Sequence, residues 1–438
     1  MTKVLTVLLA YWKAKRLKFS SREALEAHQR AQLAKFLPWM AQKSAYFQAA
    51  TAALDKPAVA VLENWPMMDK AVMMEFFDTM NTARLPLSAI MQVAQEAEAT
   101  RDFQGTVRGY TVGLSSGTSS MRGAFVVSNA EKSQWAGVML ARMLPAGLFK
   151  GERVALFLRA DSGLYQTVKS RWLTFEFFDL MGDFAENAQR LSAYNPTIVV
   201  APAQVLRQLA LDVHDRGLAL SPKRVISVAE VLEPQDQEII ETVFGSVHQV
   251  YQATEGFLAS TCEHGTLHLN EEYVHIEPEW VDEAQTRFIP VITDFTRKTQ
   301  PIVRYRLNDV LVAKKDPCPC GRVTRAIERI EGRCDDLLLL PGRNGRLIPV
   351  FADALHRVMS NVLPLDADYR LAQPGRIRLK LSAQVPQEAF PKIRLEVEDA
   401  LRAMSIAVGQ LQWEFSSEVP PFTPSVKRRR ITRQYNPA

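Results

Sequence analysis

The sequence predicts an α/β protein: a large part built on mixed and parallel sheets flanked by helices, and a small α+β unit after it. Three observations carry this. Short β-branched runs occur at Val154 to Leu158, Ile198 to Ala201, Val225 to Val228 and Val247 to Tyr251. Between the last three lie helical patterns, Gln204 to Asp215 ended by Gly217 and Pro234 to Phe244 ended by Gly245. That βαβαβ alternation implies a parallel sheet with ligands beyond the carboxyl ends of its strands. After Asp309 the pattern changes to short strands and turns, and from Pro349 it reads as α+β. Helices are expected at Pro349 to Met359 and Pro391 to Met404, with strands at Arg376 to Leu381 and Gln410 to Phe415. The chain thus divides into a helical part (1–100), a core (101–334) and a terminal unit (335–438).

Taken in order, the run from Val4 to Trp12 places Leu5, Leu8, Leu9 and Trp12 on one helical face, and Lys13, Lys15, Arg16 and Lys18 follow with no small-residue cleavage site. Ser20 with Glu23 is a capping-box pattern opening a helix that Pro38 is expected to stop. These first hundred residues read as a brace that carries little chemistry. No run approaches the roughly 20 apolar residues of a membrane span. Four cysteines in 438 residues make no disulfide framework and imply a reducing, cytoplasmic setting. The formal charge of +5 comes entirely from Lys427, Arg428, Arg429, Arg430 and Arg433, so residues 1–426 balance. A neutral body argues against nucleic acid as the main partner.

Several motifs carry chemistry. Leu114 to Gly123 (LSSGTSSMRG) follows a strand-like stretch. Its small residues Ser115, Ser116, Gly117 and Thr118 let backbone N–H groups close on phosphate, and Arg122 adds charge; alone, such a loop is as readily a plain connection. Tyr251-Gln-Ala-Thr254-Glu255-Gly follows a strand. There an aromatic can stack on adenine, a hydroxyl can reach an α-phosphate and a carboxylate can hold Mg²⁺. Ala229-Glu230 ends the neighbouring strand. Arg304-Tyr305-Arg306-Leu-Asn-Asp309 offers a carboxylate able to accept two hydroxyls, or else a surface ladder of ion pairs. Glu331-Gly-Arg333-Cys-Asp335-Asp is a glycine-flanked acidic stretch able to absorb a backbone rotation.

In this order these motifs resemble the adenylate-forming superfamily of acyl-CoA synthetases, adenylation domains and luciferases. Within it the chain is similar to the phenylacetate-CoA ligase branch, with its capsular-cluster and deazaflavin-adenylating relatives. The resemblance implies a phosphate loop at Ser115 to Thr118, adenine beside Ala229, Glu230 and Tyr251, and Thr254 and Glu255 at the phosphates with Mg²⁺. It also implies ribose on Asp309, a nucleotide contact from Arg333, and Asp335 as the hinge of a mobile C-terminal lid. Ser120 stands where the family has glycine, and Arg122 where it has lysine.

The cluster Lys427 to Arg430 reads as a nucleic-acid patch, a solvated tail or, on the resemblance, a lid loop whose Lys427 is catalytic; Val426 replaces the usual glycine before it. Cys262, His264, His268, Cys318 and Cys320 read equally as free thiols or as a zinc site. The resemblance favours zinc on Cys262, His268, Cys318 and Cys320. The expected activity is formation of an acyl-AMP from ATP and an organic acid, then transfer to a thiol such as CoA or to an amine. The acid pocket is expected from Ser162 to Phe178. AMP transfer to a phenolic hydroxyl and non-catalytic nucleotide binding are the rival outcomes. The partners are a small carboxylic acid and a small or carrier-borne acceptor, with a homodimer left open.

Overall fold

The computed structural model describes residues 3–115, 122–144, 147–160, 172–334 and 337–435. Its centre is a twelve-stranded mixed sheet. One half is parallel: Leu173–Asp179, Glu152–Leu158, Ile198–Ala201, Arg224–Ser227 and Val247–Ala253 lie side by side in that order. The three strands Glu152–Leu158, Ile198–Ala201 and Arg224–Ser227 are buried along nearly their whole length, as a sheet covered by helices on both sides requires. Helices Ala203–Arg216 and Pro234–Phe244 connect strands of this half, each starting and ending where the sequence indicates. The second helix begins with proline at its first position, where a missing N–H costs nothing.

At Val247–Ala253 the sheet changes sense. A tight turn returns the chain as Gly256–Thr261, antiparallel, and the remaining strands are antiparallel as well. Strand Asp309–Ala313 pairs with Ala326–Arg333 so that Asp309 stands directly opposite Arg333. Two motifs separated in sequence are therefore neighbours by strand register.

Helix Arg22–Lys43 runs straight through Pro38. Proline inside a helix costs about 3 kcal/mol. Leu33, Phe36, Leu37 and Met40 are buried around it against Phe47 and Trp65, and each such burial stabilises by about 1.5–3 kcal/mol, so packing overrides the break. The N-cap is Ser21, whose hydroxyl accepts from the Ala24 N–H, one residue later than the pattern suggests. Helix Lys3–Arg16 packs on Asn129–Met143 through Val7, Ala10 and Tyr11, which close so tightly on Gly137 that a Cβ there would lie 2.6 Å from the Val7 carbonyl.

From Leu338 onward the chain has its own core, in which Leu355, Met359, Leu371, Leu379, Leu381, Val397 and Leu401 are fully buried. A four-stranded sheet orders Gln412–Ser416, Arg378–Ala383, Tyr369–Gln373 and Ile431–Arg433. Helices Ala352–Val362 and Phe390–Ala403 pack on it. Pro349 belongs to strand Leu347–Val350 rather than to the following helix, because it pairs with Leu339 in a two-stranded ribbon.

Candidate active site

A cavity of about 600 Å³ opens at the carboxyl ends of Arg224–Ser227 and Val247–Ala253, where the parallel and antiparallel halves meet. Its walls include Ser115, Ala229, Glu230, Tyr251, Thr254, Glu255, Asp309, Arg333 and Lys427. The motif residues within the described part of the chain thus share one cleft. Ser116, Gly117, Thr118 and Asp335, and Ser162 to Arg171 of the expected acid pocket, lie outside the described residues.

The strand ends aim these groups. Ala229 has a left-handed backbone (φ 66°), a conformation costly for a residue with a Cβ, and it turns the chain off its strand beside the cavity. The Tyr251 hydroxyl donates to Asp309 Oδ2 at 2.6 Å, so the tyrosine fixes the carboxylate as well as lining the cleft. Arg333 Nε lies 4.0 Å from the other oxygen of Asp309. The Tyr305 hydroxyl donates to Glu255 Oε1 at 2.9 Å. Arg304 bonds Glu277 and Arg306 bonds Glu279, each in bidentate fashion, and Arg306 also contributes to the cavity wall. The Arg-Tyr-Arg strand is therefore both things at once, an ion-pair ladder and cavity wall.

The first hundred residues contribute more than bracing. Met68 pairs with the chain on both sides of Tyr305, donating to the Arg304 carbonyl and accepting from the Arg306 N–H. This carries Asp69 and Lys70 into the cavity wall, with Met73 and Met74. Lys70 packs against Gly123, where a Cβ would come 3.3 Å from its Cε. Burial lowers its pKa and the Glu255 carboxylate opposes that shift. Arg122, the cation expected beside the phosphate loop, makes a bidentate pair with Glu98 at 2.8 and 2.5 Å and also donates to the Ser115 carbonyl at 3.4 Å. Nothing in the sequence around Lys70 marks it; the signal is tertiary.

The terminal basic cluster is neither a tail nor an exposed patch. Arg430 is fully buried and donates to both oxygens of Asp236, at 3.0 and 2.7 Å, and to Glu233, on the helix after the Ala229–Glu230 turn. Arg428 bonds Asp368 at 3.1 Å. Gln235 donates its amide to the Ala367 carbonyl at 3.2 Å. Gln204 donates to Glu230 Oε1 at 2.9 Å and to the Val426 carbonyl at 2.6 Å. These contacts hold the Val426–Arg430 loop across the cavity mouth with Lys427 inside it. Burial lowers the pKa of Lys427, next to Arg333, while Glu230 and Asp309 favour its charged form. Burial pushes the Glu230 carboxyl, next to the lysine, up to about 7 and also raises that of Glu255.

On the far side of the antiparallel half, one ligand atom each from Cys262, His268, Cys318 and Cys320 lie within 4.8 Å of one another. The Cys262 and Cys318 sulfurs are 3.6 Å apart, and Cys320 Sγ is 3.3 Å from His268 Nε2. His268 Nδ1 lies 3.2 Å from the Thr324 carbonyl. His264 joins this cluster only through its backbone N–H, 3.4 Å from the Cys262 sulfur.

No family model matches the chain. A phenylacetate-coenzyme A ligase of Thermus thermophilus is 25% identical over 194 residues, 42% of this chain and 37% of that protein. That match spans little more than a third of the relative's length. Among solved structures, 2-hydroxyisobutyryl-CoA ligase with 2-HIB-AMP in the postadenylation state aligns with a TM-score of 0.68 at 16% identity, over 97% of this chain and 92% of that one. The fold is that of the adenylate-forming superfamily. The same ligase in its thioesterification state, with 2-HIB-AMP and CoA, aligns over the same shares of both chains with a TM-score of 0.55. The acyl acid amido synthetase GH3.15 aligns with a TM-score of 0.57 at 13% identity, over 90% of this chain and 86% of that one. The cavity here is lined from both the large part and the terminal unit, the latter through Ala352, His356 and Lys427 to Ile431.

The raised Glu230 has a consequence for stability. Its charged form is disfavoured in the fold, so its contribution is fully present below the ordinary carboxylate range near 4.5 and is lost as pH rises through about 7. Glu230→Gln should therefore melt roughly 2 °C or more above the parent protein at pH 8. The gap should narrow as pH falls and close by about pH 4; an equal gap at pH 4 and pH 8 would contradict a buried, titrating Glu230.

Proposed function

We propose that this chain is an AMP-forming ligase that activates an organic carboxylic acid with ATP. The carboxylate oxygen attacks the α-phosphorus, the bond to the bridging oxygen breaks, and pyrophosphate leaves with that electron pair. An acyl-AMP remains. A thiol such as that of CoA, or an amine, then attacks the acyl carbon, loses its proton and displaces AMP. The observation that carries this reading is that Tyr251, Glu255, Asp309, Arg333 and Lys427, from four separate segments, line one cavity.

The roles follow from chemistry and place. Asp309, oriented by Tyr251, accepts the two ribose hydroxyls, and Arg333 beside it meets the nucleotide. Ala229 and Glu230 lie along the base, and Thr254 and Ser115 donate to phosphate oxygens. Lys427 stabilises charge that grows at the α-phosphate as the bond forms. Lys70 adds a cation to the cavity wall where Gly123 meets Ser115. Glu255 fits Mg²⁺: it is a carboxylate in the cavity wall whose burial disfavours its charge without a cation. Bound there, the ion would neutralise phosphate charge; Tyr305 holds the carboxylate in place for it. The better superposition on the postadenylation state supports a lid arrangement suited to the first half-reaction.

The test is ATP–pyrophosphate exchange across a panel of carboxylic acids, with mass analysis of the product. At least one acid should support exchange. With that acid, Lys427→Ala should lower the rate about 100-fold or more, and Lys70→Ala about tenfold. An unchanged Lys427→Ala rate removes that residue from the mechanism. AMP retained on a phenolic acceptor would transfer the same cleft to nucleotidyl transfer.

We also propose that Cys262, His268, Cys318 and Cys320 hold a structural zinc ion. A tetrahedral site with Zn–S of ~2.3 Å and Zn–N of ~2.05 Å has S–S edges near ~3.8 Å and S–N edges near ~3.6 Å, close to the separations here. His268 hydrogen-bonds through its other nitrogen, as a metal-ligating imidazole should. The ion would pin the 313–326 connection to the Gly256–Thr261 hairpin. Elemental analysis should find about one zinc per chain, lost in Cys318→Ser together with thermal stability. Zinc-free protein with an unaltered melting point would contradict the site.

A further inference from the structure

Helix Lys3–Arg16 is apolar on two faces, and only one of them is used. Val7, Tyr11 and Ala14 are buried against Asn129–Met143. Leu5, Leu9 and Trp12, at spacings of four and three residues, point away from the protein and are 45%, 52% and 47% exposed. This is the face that the sequence pattern marks as apolar, yet the protein buries the other. Single exposed apolar residues are ordinary; a continuous stripe of two leucines and a tryptophan on one helix is not.

The charge around the stripe says what covers it. Residues 1–22 contain six Lys or Arg and no Asp or Glu. Lys13, Arg16 and Lys18 are exposed at the carboxyl end of the helix, and Arg16 continues the line of Leu5, Leu9 and Trp12 by one more turn. Lys15 lies on the packed side, over the Tyr11 ring and close to Arg142, Arg224 and Arg322, of which Arg142 is paired with Glu272 and Arg322 with Glu263. Phe149, 61% exposed, and Lys150 follow Leu148, to whose backbone Tyr11 bonds. A second copy of this helix is a poor occupant: in a parallel pairing these cations would oppose one another, and in an antiparallel one they would meet no acid on the partner helix.

We propose that the outer face of Lys3–Arg16 is a docking surface for an anionic lipid bilayer. Leu5, Leu9 and Trp12 enter the headgroup boundary while Lys13, Arg16 and Lys18 meet lipid phosphates and carboxylates. The helix lies in the plane of the surface and does not cross it; no described helix is long and apolar enough to span a membrane. Tryptophan suits this depth, with an apolar ring and one polar N–H. Attraction of the cations falls off with added salt.

The experiment is co-sedimentation of the full chain with vesicles of phosphatidylcholine alone or with about 30% phosphatidylserine. Binding should be at least tenfold greater with phosphatidylserine and fall at 0.5 M NaCl. The outward triple variant Leu5→Ser/Leu9→Ser/Trp12→Ser, and separately Lys13→Glu/Arg16→Glu, should each lose at least tenfold in binding. Both should keep the parent melting point, since none of these side chains packs in the core. Quenching of tryptophan fluorescence by brominated lipid should drop in Trp12→Phe. Three results would overturn the proposal: equal binding to both vesicle types, binding unchanged in the triple variant, or a dimer in sedimentation analysis that the triple variant dissociates without any vesicle binding.

Discussion

The interaction on which the rest of this arrangement depends is the burial of Arg430 between two acids of the large part. A guanidinium removed from water is tolerable only when carboxylates replace its hydration, and Asp236 and Glu233 do so from the helix that follows the Ala229–Glu230 turn. Removing one partner of such a pair typically costs about 3–5 kcal/mol, because the other charge is left stranded. Asp368 and Arg428 extend the contact from the terminal unit, and Arg207 extends it from helix Ala203–Arg216. Arg430 immediately precedes strand Ile431–Arg433, so the same residue is fixed on one side by a sheet and on the other by an ion cluster. Lys427, three residues earlier, has little freedom left and is delivered to the cleft.

A contact of this kind differs from an apolar interface in how it can open. Charged groups lose little by being rehydrated, whereas exposed leucines would pay the full hydrophobic penalty. The terminal unit keeps its own apolar core; its contact with the large part is ionic and amide-based near Asp236, with Phe422 packed on Phe184 as an apolar contact beside it. On the proposed function, that suits a unit which must hold one orientation firmly and then leave it. The membrane-facing helix sits elsewhere, on the Asn129–Met143 side, and its docking asks nothing of that movement.

Part of the site was legible because two motifs close parallel strands. Tyr251 to Glu255 and Ala229-Glu230 follow β-branched runs, and the rule that ligands gather at carboxyl strand ends brings them together; Asp309 opens an antiparallel strand and falls outside that rule. Register explains the pairing of Asp309 with Arg333, which spacing alone could not have given. The hidden features are tertiary. Lys70 reaches the cleft through the Met68 bridge to the Tyr305 strand, and no local pattern foretells a bridge. Pro38 fails to stop its helix because the apolar residues around it outweigh one lost hydrogen bond. Four consecutive basic residues resemble a solvated tail until the acids that bury one of them are known. The outward face of the first helix was misleading in the same way, since both faces are apolar and only packing decides which one is covered.

The central claim, that one nucleotide occupies the cleft shared by Tyr251, Asp309, Arg333 and Lys427, is tested most directly by a crystal structure of the protein with AMP and Mg²⁺. The account predicts the ribose hydroxyls within hydrogen-bond distance of Asp309, the base alongside Ala229 and Glu230, and the phosphate facing Lys427. AMP bound elsewhere, or its ribose turned away from Asp309 with Lys427 withdrawn from the cleft, would contradict it.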